Sequence, residues 1–98
     1  INPMFTFYAA TARKDEQNYP KGGYQMENAL TREQTLRGMT IWAAKSNFEE
    51  KEKGSLEVGK FADFVILEHD LMKAKDQQIL KNKVIKTYVN GEKVYEAK

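Results

Sequence analysis

The sequence predicts an α+β chain in which a helical first half, residues 1–53, is followed by a β half, residues 54–98. Three observations predict it. Thr31-Arg32-Glu33-Gln34 is a capping box, and apolar residues recur after it at the helical period. Phe61-Ala62-Asp63-Phe64-Val65-Ile66-Leu67 is an almost continuous apolar, β-prone run. Asn90-Gly91 stands between two alternating segments, the strongest short-range signal of a β-hairpin.

The first element starts at Asn2-Pro3. Asn accepts hydrogen bonds from the first-turn N–H groups, and Pro at the next position has its φ preset for a helix. Met4 to Arg13 contains three alanines that favour a helix, and Met4, Phe5 and Tyr8 fall on one helical face. The alternation Phe5-Thr6-Phe7 also fits a strand. Residues 14–29 then hold a Pro and the Gly22-Gly23 pair among polar side chains, which predicts a loop. The pair lacks the spacing of a phosphate-binding fingerprint.

The capping box opens a helix predicted from Arg32 to about Phe48. Glu33 complements the dipole of its first turn, while Leu36, Met39, Ala43 and Ala44, widened by Ile41 and Trp42, form the stripe expected to be buried. Gly38 inside this helix costs roughly 1 kcal/mol against Ala, which points to close packing there. The run Glu49-Glu50-Lys51-Glu52-Lys53 reads as a solvated surface.

In the β half, two glycines five apart flank a short extended piece, Leu56 to Val58. The run 61–67 reads as a strand covered on both faces. Asp63 interrupts it, and a carboxylate in that position needs partners. The N–H groups of the preceding Gly59-Lys60 turn are the expected ones. Glu68-His69-Asp70 places two carboxylates beside the only histidine, but neighbouring strand residues point to opposite faces and do not converge. A surface strand end is the expected state. A helical turn is expected around Asp76 to Leu80. Val84 to Val89 and Glu92 to Tyr95 form the hairpin, with Ile85, Thr87, Val89 and Val94 on one face and Lys86, Tyr88, Lys93 and Tyr95 on the other.

Composition narrows the function classes. With 98 residues the chain suits one small domain. It contains no cysteine, hence no disulfide, thiol nucleophile or zinc–thiolate site, and its single histidine excludes a His-rich metal cluster carried by this chain alone. No apolar run approaches the roughly 18 residues that span a bilayer, and no leader resembles a secretory signal. Sixteen basic residues face 14 acidic ones, and only Arg13, Arg32 and Arg37 are Arg. Interleaved lysines of this kind argue against a nucleic-acid partner. Because the first residue is Ile1 and not Met, the chain is expected to be a piece of a longer protein.

Phe48-Glu49-Glu50 followed by Gly54-Ser55-Leu56-Glu57-Val58-Gly59-Lys60-Phe61-Ala62-Asp63-Phe64-Val65-Ile66-Leu67 resembles the C-terminal signature of the amidohydrolase superfamily, roughly G-S-[IL]-x-x-G-K-x-A-D-[FL]-V-[VI]-L. Asn2-Pro3-Met4 through Arg13, Leu30-Thr31-Arg32-Glu33-Gln34, and Lys86 to Tyr95 are similar to segments of amidohydrolase family 3. The resemblance covers essentially the whole chain. It departs where Tyr24 and Met26 stand in place of the Trp and Pro that often precede the last helix.

The resemblance implies that residues 1–53 are the last helices of a (β/α)8 barrel, and that residues 54–98 are strands of a small composite sandwich. It also implies a parent that hydrolyses carbon–nitrogen, non-peptide amide-type bonds with one or two divalent ions, zinc above all. The ligand histidines and aspartate would precede Ile1, so no catalytic, cofactor-binding or metal residue is expected here, and His69 matches no ligand position. Asn2, Pro3 and the loop 14–29 would border the active-site mouth.

The implied partners are the remainder of the parent chain and, for the piece alone, a second copy of itself, with neither nucleic acid nor membrane. The compartment stays open, with the cytoplasm favoured. A small stand-alone α+β interaction or oligomerisation module is the competing reading.

Overall fold

The computed structural model describes residues 2–15, 17 and 19–98; the loop expectation at positions 16 and 18 lies outside them. Its elements are α1 (Pro3–Ala12), α2 (Arg32–Met39), α3 (Ile41–Ser46), β1 (Phe64–Leu67), α4 (Asp76–Leu80), β2 (Val84–Val89) and β3 (Glu92–Glu96), with a single 3-10 turn at Met26–Asn28. This is an α+β chain with a three-stranded antiparallel sheet. It divides into two compact units, Ile1–Leu36 with His69–Asn82, and Arg37–Glu68 with Lys83–Lys98.

In the first unit Asn2 caps α1 as expected, its Oδ1 accepting from the Met4 N–H at 2.9 Å. Met4, Phe7, Tyr8 and Ala12 are buried, and α1 packs against α4, whose Ile79 is fully buried. Phe5 faces solvent, while Phe7 joins Met4 and Tyr8 among the buried side chains. The helix closes at Arg13 in the left-handed region, φ 56°, with the Arg13 N–H on the Ala9 carbonyl at 3.0 Å.

The loop then folds back on this end. The Tyr24 N–H donates to the Arg13 carbonyl at 2.8 Å, the Arg13 Nε donates to the Tyr24 carbonyl at 2.8 Å, and the guanidinium lies 5.9 Å from the Tyr24 ring centre. Gly23, φ 86°, is required here, because a Cβ would stand 2.7 Å from the Ala12 carbonyl oxygen.

The capping box forms as read: the Gln34 N–H donates to Thr31 Oγ1 at 3.1 Å and the Thr31 N–H to Gln34 Oε1 at 3.0 Å. The helix after it is not continuous to Phe48. It breaks at Thr40, φ −123° and ψ −93°, into α2 and α3. A β-branched residue two positions after a glycine is a weak point in a helix. The stripe expected to be buried is also largely exposed: Leu36 is 38%, Met39 36% and Trp42 45% accessible, while Thr35 and Ala44 are buried. Gly38 is not closely packed, since a Cβ there would meet only Trp42, at 3.8 Å.

In the second unit the close approach belongs to Gly54 instead. At φ 98° it brings the backbone over α3, where a Cβ would lie 2.9 Å from the Ala44 Cβ. Leu56 and Glu57 join no strand and lead into a turn at Val58-Gly59, with the Lys60 N–H on the Glu57 carbonyl at 3.1 Å.

The sheet runs β1-β2-β3. Phe64 pairs with Tyr88 across β1 and β2, and their rings stack with centroids 4.5 Å apart. The hairpin turn has positive φ at both Asn90 (51°) and Gly91 (80°), as a two-residue type I′ connection demands. A register shift between Thr87 and Tyr88 sets Tyr95 opposite Thr87 and Lys93 opposite Tyr88, so Tyr95 leaves the face expected for it. β1 is not covered on both faces, for Val65 and Ile66 are exposed.

Candidate functional site

The residues that carry chemistry fall into three places: the loop at the end of α1, the bend around His69, and the junction between Asp63 and the hairpin turn. In the first, Asp15 Oδ1 accepts from the Gln17 and Tyr19 N–H groups at 2.8 and 3.0 Å. Arg13 is engaged by Tyr24 as above, and the Asn2 side chain by the helix cap. Tyr8, 1% exposed, has its phenol pushed above the ordinary tyrosine range, first by burial and then by the negative charges of Asp76 and Asp15. The polar groups of this loop chiefly hold backbone.

At the second place, Asn82 governs. Its Oδ1 accepts from the His69 N–H at 2.8 Å and its Nδ2 donates to the His69 carbonyl at 3.0 Å. Asp70 turns the other way, its Oδ1 accepting from the Met72 N–H at 2.8 Å. Asn82 escaped sequence reasoning, because a lone Asn in an ambiguous segment has no periodicity to mark it. Arg32 ties this segment down as well, donating through Nη1 to the Leu71 carbonyl at 2.9 Å and pairing through Nη2 with Asp76 Oδ1 at 3.0 Å.

At the third place the expectation for Asp63 is corrected. Its Oδ1 accepts from the Asn90 N–H at 2.8 Å, across the sheet, and not from the Gly59-Lys60 turn. Beside it the Gly91 N–H donates to the Ala62 carbonyl at 2.9 Å. Two neighbouring residues of the apolar run thereby clamp both residues of the hairpin turn. The Gly59-Lys60 turn is engaged elsewhere: Lys60 Nζ meets Glu57 Oε2 at 2.9 Å and Ser55 Oγ at 2.7 Å.

Among the described residues no three or more His, Cys, Asp or Glu side chains gather where they could hold a metal ion. Among the same residues no helix is long and apolar enough to cross a membrane. One oxygen stands out: Glu50 Oε2 is buried without a hydrogen-bond partner.

Residues 1–95 match the family model described as "Amidohydrolase family". Over 95 residues the chain is 30% identical to the N-substituted formamide deformylase of Arthrobacter pascens, covering 97% of this chain and 17% of that protein. YtcJ of Bacillus subtilis, which carries an amidohydrolase name, is 30% identical over 98 residues, covering 98% of this chain and 18% of that protein. Among solved structures, an amidohydrolase from Thermotoga maritima superposes with a TM-score of 0.61 at 28% identity, over 74% of this chain and 17% of that one. The chain thus spans under a fifth of the length of each relative.

Proposed function

The chain belongs to the amidohydrolase family, and from that membership we propose that it is the C-terminal portion of a metal-dependent hydrolase of carbon–nitrogen, non-peptide amide-type bonds. Residues 1–53 supply the last helices of its barrel and residues 54–98 strands of its composite sandwich. The carrying observation is the family match over residues 1–95, in a chain that spans only 17% of the formamide deformylase it resembles. The exposed Leu36, Met39 and Trp42 support the same reading, because side chains of this kind at helical spacing belong against a covering surface.

In this reading the chain is scaffold. Its own carboxylates and its histidine ligate no ion, and no step of the hydrolysis runs through them. What they do is hold backbone: Asn82 fixes the bend at His69, and Asp63 fixes the hairpin turn. Made alone, the piece is catalytically incompetent and self-associates through its apolar side chains and the outer edges of β1 and β3.

The test is to express the complete open reading frame that encodes this chain, and separately the 98 residues alone, and to follow amine release from simple amides and N-substituted formamides. Turnover by the long protein, lost on chelation and absent from the short one, is the expected result. Turnover by the 98 residues alone overturns the proposal. So does a reading frame that starts near Ile1, which would make the chain a stand-alone module.

A further inference from the structure

We propose that Asn90 is a site of intramolecular deamidation, held in check by the clamp that Ala62 and Asp63 place on the hairpin turn. Asn90-Gly91 is the sole Asn-Gly pair in the sequence, and both residues are exposed to the water and base the reaction needs. A glycine after asparagine leaves the following amide nitrogen unshielded, because no Cβ stands in the way of its approach.

In the reaction the Gly91 amide nitrogen gives its proton to a solvent base and attacks Asn90 Cγ, forming a new C–N bond. The Cγ–Nδ2 bond breaks and ammonia departs, carrying a proton from solvent. The product is a five-membered succinimide. Water then opens the ring at Cγ to give Asp, or at the backbone carbonyl carbon to give isoaspartate, whose main chain runs through Cβ.

The fold opposes the first step twice. The Gly91 N–H donates to the Ala62 carbonyl at 2.9 Å, so the nucleophilic nitrogen keeps its proton and points at the neighbouring strand. The Asn90 N–H donates to Asp63 Oδ1 at 2.8 Å, a charge-assisted bond that pins the asparagine backbone. Both bonds must open before the ring closes.

Once it has closed, the change is one-way. Isoaspartate adds a methylene to the main chain of a two-residue turn that has no room for it. Simple Asp adds a negative charge to the residue whose N–H Asp63 holds. Either product loosens β3 from the sheet, so opening of the hairpin is recorded covalently.

The test incubates the purified protein at mildly alkaline pH, as folded wild type, as wild type in guanidinium, and as Asp63→Asn. Peptide mass spectrometry reads Asp and isoaspartate at position 90. Wild type is expected to react several-fold more slowly folded than denatured, with Asp63→Asn between them. Hydrogen exchange of the Gly91 amide should follow the same order. Should Asp63→Asn fail to fold, the folded and denatured wild type still decide the matter. Equal rates in those two states, or an Asn90 that survives unchanged in guanidinium, overturn the proposal.

Discussion

Asn82 and His69 hold each other through two hydrogen bonds, at 2.8 and 3.0 Å, in which the Asn82 side-chain amide meets the His69 N–H and carbonyl as a neighbouring strand would. Asn82 is only 5% exposed, so its amide is satisfied by one residue thirteen positions away. The bend that ends the run from β1 is thereby tied to the residue that ends the α4 segment.

Replacing Asn82 by Ala leaves a half-buried donor and acceptor without partners. The expected loss is about 2 kcal/mol of stability, read as a lower urea midpoint. Asn82→Asp should fail to restore it, because an ionised carboxylate cannot donate to the His69 carbonyl. His69→Gln should preserve both bonds, which use only the backbone of residue 69. An Asn82→Ala protein as stable as wild type would show the pair to be incidental.

Local chemistry was legible in the sequence and long-range partnership was not. The Asn2 cap, the Thr31–Gln34 box, the turn at Asp76 to Leu80 and the Asn90-Gly91 hairpin all formed where spacing placed them, because each depends on residues within a few positions of one another. The extent of the central helix was not legible. Its periodicity runs through Thr40 unbroken while the backbone does not. Nor was the partner of Asp63, twenty-seven positions away, or the role of Asn82. The apolar stripe reads as a buried face and is largely exposed, because periodicity marks a face without saying what packs on it. Leu36, Met39 and Trp42 are largely exposed in the fold these residues adopt.

The Glu57 carboxyl should titrate below the ordinary glutamate range. The hydrogen bond from the Ser55 hydroxyl, at 2.6 Å, is the first cause, and the Lys60 ammonium, at 2.9 Å, adds both a hydrogen bond and its charge. A depressed carboxylate stabilises the fold above its unfolded-state value and ceases to do so as pH falls through the lower, folded value. Side-chain NMR titration should show the midpoint rising in Ser55→Ala and in Lys60→Met. Added salt should weaken the lysine contribution and leave the hydroxyl contribution. A midpoint that ignores both substitutions would mean the turn is not formed in solution.

Trp42 is the only tryptophan, and it is exposed. In dilute solution of the 98 residues its emission should be that of a wet indole and readily quenched by acrylamide. As concentration rises and the chain self-associates, sedimentation should quicken and quenching fall together. Met39→Lys should push both changes to higher concentration, since a charge on an apolar contact must be desolvated. In the longer hydrolase proposed above, the same tryptophan should be shielded at every concentration. A chain that stays monomeric, with equal quenching throughout, removes the case for a covering surface at this helix.

Glu50 supplies a sharper probe of what covers the chain. Its Oε2 is buried without a partner, and an unpaired buried oxygen is destabilising unless a donor meets it. Within these 98 residues, Glu50→Met should therefore stabilise the chain by about 1 kcal/mol, raising Tm by about 5 °C. If the missing donor sits on the preceding portion of a longer protein, the substitution should reverse its sign there, because it then removes a satisfied carboxylate and strands the donor. Thermal unfolding of both lengths, each with and without the substitution, measures the two signs directly. Stabilisation in both lengths would mean that no donor from elsewhere reaches Glu50.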